Sequence, residues 1–292
     1  MQEEKVELYL QENFKTKFKP EPIKNSLETQ MVAMGKALMR AKKQMDIVER
    51  KALIMALTKM NWSKKEEKNI VELDKIEICE ILGWNYNASD RSVKLRKLFK
   101  ALANHSYIEM NVKDKDEWDD GFLIPRISST RGSIKVYFAE QFMPLLTNLL
   151  QDKDFVTIWS NDIYKFENVN SYLLFEELRL HSDTRQTNWR TYSTKQLKEL
   201  FGMPKTGKGA YMHYSAKDQK EVFDRSNFEK YVLDKAIAEI NKGQMIKILP
   251  IVGSNEIKKG KLYQKIKKNG FVVGYQFKYI VKTSITAPLI EE

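Results

Sequence analysis

One sequence pattern occurs twice in this chain, and it restricts the possible folds more than any other feature. Each copy begins with an aliphatic segment that ends in glycine, as expected for a short helix. The tripeptide Asp-Arg-Ser and a Lys-Ala-aliphatic-Ala segment follow, and the second copy has a longer insertion between its two helices. The matching segments are 78–83 and 197–202, 90–92 and 224–226, and 100–103 and 235–238.

A duplicated pair of short helices, each followed by strand-like segments, is typical of two winged-helix units side by side on DNA. The repeat is too long for a solenoid, whose units span about 20–45 residues. The 292 residues suffice for two domains of ordinary size. We therefore predict an α+β fold with two tandem winged-helix domains related by an internal duplication.

The charge of the chain predicts a polyanionic partner. The chain contains 50 lysines and arginines against 39 acidic residues, which gives a net charge of +11. Segment 242–282 is strongly basic, with ten lysines and a single acid, Glu256. The sequence has no apolar stretch of transmembrane length, no signal-peptide pattern and only one cysteine, Cys79. We therefore expect a cytoplasmic protein without membrane association or an internal disulfide.

Composition and periodicity divide the chain into three parts, namely a flexible tail over 1–25, an N-terminal winged-helix domain over 26–150 and a C-terminal one over 155–292. In the first domain we predict three helices, over 26–45, 46–60 and 139–150. Between them we predict a helix from Asp74 to Gly83 and another that is capped by Ser89 or Asp90. The predicted strands of this domain are 107–112, 122–127 and 133–138. In the second domain we predict helices over 170–180, 195–201 and 226–241, the middle one capped by Ser193 or Thr194. A polar loop over 203–222 separates the last two helices. Strands are predicted over 245–252 and 271–281, with a lysine-rich wing over 254–269 between them.

In a winged-helix unit the second helix of the pair enters the major groove, and its first residues contact base edges. Arginine and asparagine there can make bidentate contacts to guanine and adenine. Amides at the start of the preceding helix suit a phosphate, and wing lysines can follow the DNA backbone. In the second domain these criteria select Arg225, Ser226, Asn227 and Lys230, then Ser193, Thr194 and Lys195 with the upstream Arg190, and Lys258, Lys259 and Lys261 in the wing. The alternative is that Arg225 and Ser226 only cap a helix and that the lysines form a solvated loop.

The corresponding helix of the first domain offers Arg91, Lys94 and Lys97, together with Arg96 and Lys100. A charged outer face is equally expected of any surface helix, so both interpretations stay open for this helix. Segment 114–120 is strongly acidic, and we predict that it forms the tip of the first wing. Because acidic side chains repel phosphate, we expect this tip to face a protein partner or solvent.

Residues 202–209 have the spacing of a nucleotide-binding P-loop but do not meet its chemical requirements. The last position is Gly209, so the hydroxyl that holds Mg²⁺ is missing, and a helix precedes the loop where the motif needs a strand. The three histidines are isolated in the sequence, without metal-ligand spacing. We therefore expect no enzyme, cofactor or metal site, and a nucleotide-dependent primase or helicase is the disfavoured alternative.

Three segments of the second domain have a distinctive sequence. Segment 233–241 reads LDKAIAEIN and resembles the signature VL-x-x-AI-x-EIN of theta-mode plasmid replication initiators, the Rep proteins with two winged-helix domains. Segments 171–178 and 190–202 are similar to the entry helix and the upstream segment of that family. The resemblance covers the layout of residues 26–285 and is specific mainly over 155–245.

The resemblance implies a non-enzymatic initiator that binds origin DNA. The C-terminal domain would read direct repeats (iterons) as a monomer, while the N-terminal domain would add contacts in the monomer and form the interface of a dimer. That dimer would bind an inverted repeat and repress its own gene. The implied partners are host replication proteins such as DnaA and the replicative helicase. The runner-up function is a tandem winged-helix transcription regulator without a role in replication.

The chain departs from the family at the start of the second helix of the C-terminal domain. Family members often have consecutive arginines after the phenylalanine that starts this helix. Here Phe228 is followed by Glu229, Lys230 and Tyr231, so only Lys230 keeps the charge. The base contacts of other members therefore cannot be transferred to this chain.

Overall fold

The computed structural model describes residues 31–35, 45–60, 69–108, 121–143, 146, 155–183, 186–203, 212–215, 220–252 and 260–282. The chain divides into two compact units, Met1–Tyr164 and Lys165–Glu292. The predicted tail, the acidic segment 114–120 and most of the P-loop-like segment lie outside the described residues. Within the described part, no helix is long and apolar enough to cross a membrane.

Within its described residues, the first unit combines four α-helices with three small antiparallel sheets. Its helices are α1 (Ile47–Lys59), α2 (Lys75–Leu82), α3 (Arg91–Asn104) and α4 (Ser160–Tyr164). Its strands are β1 (Met31–Gly35), β2 (Ile70–Asp74), β3 (Tyr107–Ile108), β4 (Gly121–Phe122), β5 (Arg126–Ser129), β6 (Ser133–Tyr137) and β7 (Phe155–Trp159). The sheets are β2-β6-β5, β3-β4 and β1-β7.

Local sequence determines helices α1, α2 and α3 of the first unit, and these three were predicted. The Asp74 carboxylate accepts from the amides of Ile76 and Glu77, and Gly83 ends α2 in the left-handed conformation at φ 66°. Asp90 precedes α3 but forms an ion pair with Lys94 at 2.9 Å in place of a side-chain cap. The predicted apolar face of α3 is buried and comprises Leu95, Leu98, Phe99 and Leu102. Helix α1 is buried continuously from Ala52 to Leu57, a stretch in which every residue is apolar.

The prediction of a helix over 26–45 is wrong for Met31–Gly35, which forms strand β1. This strand pairs antiparallel with β7, from Met31 opposite Trp159 to Gly35 opposite Phe155. Pairing between distant segments has overridden the local helical spacing. Because of this pairing the first unit extends to Tyr164, so Phe155 belongs to it, whereas we predicted that Phe155 begins the second domain.

The wing of the first unit also differs from the prediction. The predicted strand over 122–127 is interrupted at Pro125, and β5 and β6 form the hairpin that packs beside the unpredicted strand β2. The tip of this hairpin is Thr130–Gly132, and the N–H of Lys75 donates to the Gly132 carbonyl at 3.0 Å. The acidic segment lies in the chain between β3 and β4, which pair antiparallel, so the predicted pairing of the strands on either side of it is confirmed. It does not lie at the tip of the β5-β6 hairpin. Of the predicted helix over 139–150, the described part begins with a 3-10 turn at Glu140–Phe142.

The second unit is built on strand β13 (Phe271–Val281). Strands β8 (Asn188–Ser193), β11 (Ile246–Leu249) and β12 (Tyr263–Lys268) all pair antiparallel with it. The helices are α5 (Val169–Leu180), α6 (Thr194–Leu200) and α7, which runs through Arg225–Phe228, a π-helical turn Glu229–Leu233 and Asp234–Lys242. A separate hairpin consists of β9 (Met212–Ser215) and β10 (Lys220–Phe223).

Two predictions for the second unit need correction. The polar loop over 203–222 contains the β9-β10 hairpin, so it is not a simple loop. The lysine-rich segment over 254–269 includes strand β12, and the turn of its hairpin is Asn269-Gly270, where φ is 49° and 79°. Two successive positive φ angles are typical of a type I′ turn, whose twist matches that of the flanking strands.

Aromatic side chains form the core between α7 and the sheet. The ring of Phe228 lies 6.0 Å from Tyr275 and 5.3 Å from Phe223, and Tyr263 lies 5.5 Å from Tyr275. The sheet is equally tight at Gly274, where a Cβ atom would lie 2.5 Å from the Tyr192 carbonyl oxygen. This packing holds α7 close to β12 and β13.

Candidate nucleic-acid interface

The start of α7 is fixed by its cap. The Asp224 carboxylate accepts from the Asn227 amide at 3.0 Å and from the Asn227 side-chain nitrogen Nδ2 at 2.6 Å. The cap residue is therefore Asp224, which precedes the predicted alternatives Arg225 and Ser226. Since the amide group of Asn227 is held by the cap, this residue is less available for adenine than its position suggested.

Arg225 connects α7 to the sheet. Its Nη2 donates to the Val272 carbonyl oxygen at 3.2 Å, while its Nε is buried without a hydrogen-bond partner. Lys198 of α6 approaches from the other side, with Nζ 3.6 Å from the centroid of the Phe223 ring. Burial, and then the nearby Arg225 charge, lowers the pKa of Lys198. Two cations are thus held together where α7 begins.

Two ion pairs join α7 to strand β12 and to the residues just before that strand. The buried Glu229 carboxylate accepts from Lys265 Nζ at 2.7 Å and from the Tyr275 hydroxyl at 3.0 Å. Nearer the middle of the helix, Asp234 pairs with Lys261. Lys261 was predicted to follow the DNA backbone, but the structure engages it inside the protein. Glu229 is the acid that follows Phe228 in the sequence, and its inward direction explains how an acid is accommodated on this helix.

A solvent-facing surface remains on α7, which we name the α7 outer face. It consists of Ser226, Lys230, Tyr231 and Lys235, all exposed. The Nζ atoms of Lys230 and Lys235 lie 5.0 and 5.5 Å from the centroid of the Tyr231 ring. Because the opposite side of the helix is buried through Phe228, Val232 and Leu233, this face is held in a fixed direction.

The remaining predicted residues of the second domain divide into engaged and exposed ones. Ser193 caps α6 in a capping box with Gln196, whose amide donates to the Ser193 hydroxyl at 3.1 Å. The Thr194 hydroxyl is buried without a partner, and Lys195 is exposed. Arg190 donates from Nη2 to the His181 carbonyl at 2.9 Å. Burial raises the pKa of Tyr279, and the nearby Arg190 opposes that rise.

In the wing of the second domain, the lysines that the structure shows to be exposed are not the ones that we predicted. Lys258 and Lys259 lie outside the described residues. At the end of the β12-β13 hairpin, Lys267 and Lys268 are exposed and directly precede the Asn269-Gly270 turn. The sequence contained these two lysines, but the position of the turn was needed to place them at the tip.

In the first unit, the predicted cations on α3 have unequal roles. Arg91 donates from Nη1 to the Tyr86 carbonyl at 2.7 Å and stacks 4.1 Å from the Tyr86 ring, so it fixes the start of the helix. Lys94 is paired with Asp90. Lys97 is exposed, as are Arg96 and Lys100, and Arg131 is exposed at the tip of the β5-β6 hairpin.

Sequence reasoning missed Lys198, Tyr231, Lys235, Lys267 and Lys268. The exposure of Tyr231 and Lys235 could have been predicted from helical periodicity, because both positions lie opposite the apolar face of the helix. Among the described residues, no group of three His, Cys, Asp or Glu side chains could hold a metal ion.

Each unit contains a pair of helices followed by a hairpin that projects beside the second helix: α2 and α3 with β5-β6, and α6 and α7 with β12-β13. This arrangement defines a DNA-binding protein with two winged-helix domains. The chain belongs to the family of initiator replication proteins. The family model "Initiator Replication protein, WH1" matches residues 31–179, and "Initiator Rep protein, WH2" matches residues 193–279.

One solved structure supports this fold, and a second only overlaps with it. The Pi initiator protein, solved in complex with iteron DNA, is similar with a TM-score of 0.59 at 17% sequence identity, covering 87% of this chain and 98% of that one. Domains 2 and 3 of RctB match with a TM-score of 0.46 at 12% identity, covering 82% of this chain and 85% of that one. No curated protein matches the sequence. The likeness to the Pi initiator extends to both domains of the fold.

Proposed function

We propose that this chain initiates plasmid replication by binding direct repeats in double-stranded origin DNA. The observation that carries the proposal is the α7 outer face, a cationic and aromatic surface joined to a lysine-tipped wing by two ion pairs. Membership of the initiator family and the iteron DNA bound by the Pi initiator both support it.

We assign the DNA contacts to those cationic and polar side chains that are exposed to solvent. The α7 outer face enters the major groove, with Ser226 and Lys230 nearest the start of the helix. Lys195, Lys267 and Lys268 contact phosphates, together with Lys258 and Lys259 from the preceding segment. Arg225 and Asn227 position the helix through Val272 and Asp224. In the first domain, Lys97 with its exposed neighbours Arg96 and Lys100 supplies auxiliary phosphate contacts.

The finer parts of the proposal come from the family resemblance. We propose that the chain acts without catalytic chemistry of its own, and that a dimer formed through the first domain represses its own gene. DnaA and the replicative helicase of the host are the partners that this role requires.

The direct test is a footprint of the purified protein on DNA upstream of its own gene. Regularly spaced protection over several direct repeats is the result expected of an initiator. Protection of a single inverted repeat alone would favour the transcription regulator. If no duplex is protected, the proposed function is wrong.

Lys230→Ala is expected to weaken binding to the mapped repeat by about 1–3 kcal/mol and binding to random-sequence duplex much less. The reason is that Lys230 is exposed on the first turns of α7, where base edges are contacted. Fluorescence anisotropy titrations on both duplexes measure the difference. Lys242→Ala is the matched control, because it removes an exposed lysine from the last turn of the same helix. Equal losses on the two duplexes would make Lys230 a phosphate contact.

A further inference from the structure

Phe271 is an unusual residue for a surface hairpin. It is 73% exposed and directly follows the Asn269-Gly270 turn, at the end of the wing. Its cross-strand partner is Lys268, and Lys267 is exposed beside it. A phenyl ring in water is unfavourable, and here it lies across from two exposed lysines. A surface of this composition matches a ligand that is both anionic and able to cover an aromatic ring.

The backbone around Phe271 is shaped to present it. Ile266 pairs with Gly274, whereas Lys267 pairs with Val272, so Val273 is an extra residue that forms a bulge in β13. A bulge increases the local twist and redirects the end of a hairpin. Val273 is itself 41% exposed, which extends the apolar surface behind the phenyl ring.

The wing tip is also held in position relative to α7. The residue after Phe271 is Val272, whose carbonyl accepts from Arg225 at the start of the helix. Lys265, three residues before Lys268, is paired with the buried Glu229. When α7 lies in the major groove, these contacts hold the tip at a fixed place relative to the adjoining groove.

We propose that Phe271 is a wedge that enters the minor groove beside the repeat and inserts between two base pairs. The inference rests on the proposed function. The minor groove is about 6 Å wide, so only the end of the turn with its single ring has to enter it for the phenyl group to approach the base steps. Lys267 and Lys268 contact phosphates on the groove walls. Apolar side chains inserted in this way unstack a base step and kink the duplex.

The test uses the full chain and a duplex carrying one direct repeat, with 2-aminopurine placed at successive positions along and beside it. The wild-type protein should raise the fluorescence at one step, because the inserted ring unstacks the probe there. Phe271→Ala should abolish this signal and lower the affinity about tenfold or more. Phe271→Leu, which retains an apolar wedge, should keep most of the signal.

Two further measurements separate a wedge from other roles. Phe271→Ala should leave the salt dependence of binding unchanged, since no phosphate contact is lost. Trp189→Ala should change neither the fluorescence nor the affinity. Trp189 is an aromatic residue 49% exposed on the same sheet, but it pairs with Lys278, seven residues along β13 from Phe271.

Several outcomes would overturn the inference. Unchanged affinity and fluorescence in Phe271→Ala would do so directly. A loss of affinity without any unstacking signal in the wild type would make Phe271 a surface contact only. A loss confined to single-stranded DNA would assign the ring to unpaired bases. In all three cases binding of the wild-type protein to the repeat would still support the proposed function, whereas a wild type that does not bind the repeat would refute both.

Discussion

Raising the salt concentration from 50 to 200 mM is expected to weaken binding to the direct repeat by roughly 10³–10⁵-fold. This follows if the two domains together contact about six to ten phosphates, since each contact releases counterions from the DNA. The exposed cations available for this include Lys195, Lys267, Lys268 and the α3 set Arg96, Lys97 and Lys100. Anisotropy titrations at several salt concentrations measure the slope.

The double variant Lys267→Gln/Lys268→Gln gives this prediction a specific control. If the wing tip contacts the backbone, the slope should fall by about two and the loss should be similar on every duplex sequence. A salt response that is flat in the wild type would contradict the electrostatic account. If the double variant had the same salt slope as the wild type, the wing tip would not contact the DNA backbone.

Glu229→Ala is expected to lower the free energy of unfolding of the second unit by about 3–5 kcal/mol. Glu229 is only 7% exposed and accepts from both Lys265 and the Tyr275 hydroxyl, so the substitution takes away the carboxylate that both groups use. The π-helical turn of α7 begins at this residue and should lose its support. Urea denaturation followed by circular dichroism, with hydrogen exchange of the α7 amides to assign the transition, measures the effect.

The chain provides a matched comparison in Asp234→Ala. It breaks the other ion pair between the same helix and the same segment, but the side chains of Asp234 and Lys261 are 30% and 26% exposed. Solvent screening should limit its effect to about 0–1 kcal/mol. If the two substitutions destabilised the unit equally, burial would not be what gives the Glu229 pair its importance.

What the sequence revealed about the fold was mostly local. The caps at Asp74 and Ser193, the glycine that ends α2 and the buried face of α3 are determined by residues within one or two turns. All were predicted from the sequence, with Thr194 as the alternative to Ser193. The β1-β7 pair could not be predicted, because more than a hundred residues separate strands that have no pairing signature of their own. The helical spacing of 26–45 was therefore misread.

The candidate nucleic-acid interface was also predictable only as far as local sequence determines it. The sequence located α7 and its cations, yet it could not show which of them were already engaged. Arg225, Lys261 and Arg190 find partners at Val272, Asp234 and His181, and each partner comes from a different element. Lys230 and Tyr231 stay exposed because they face away from the apolar side of the helix.

The β1-β7 pair has a consequence for how this protein can be shortened. The strand that leads towards the domain boundary is hydrogen-bonded along its whole length to the strand that opens the described structure. A truncation beginning after Gly35 would look like removal of a dispensable extension, but it would leave Phe155–Trp159 as an uncovered edge. Such an edge invites pairing with another chain, so the shortened protein would risk aggregation, and expression plasmids should retain residue 31 onwards.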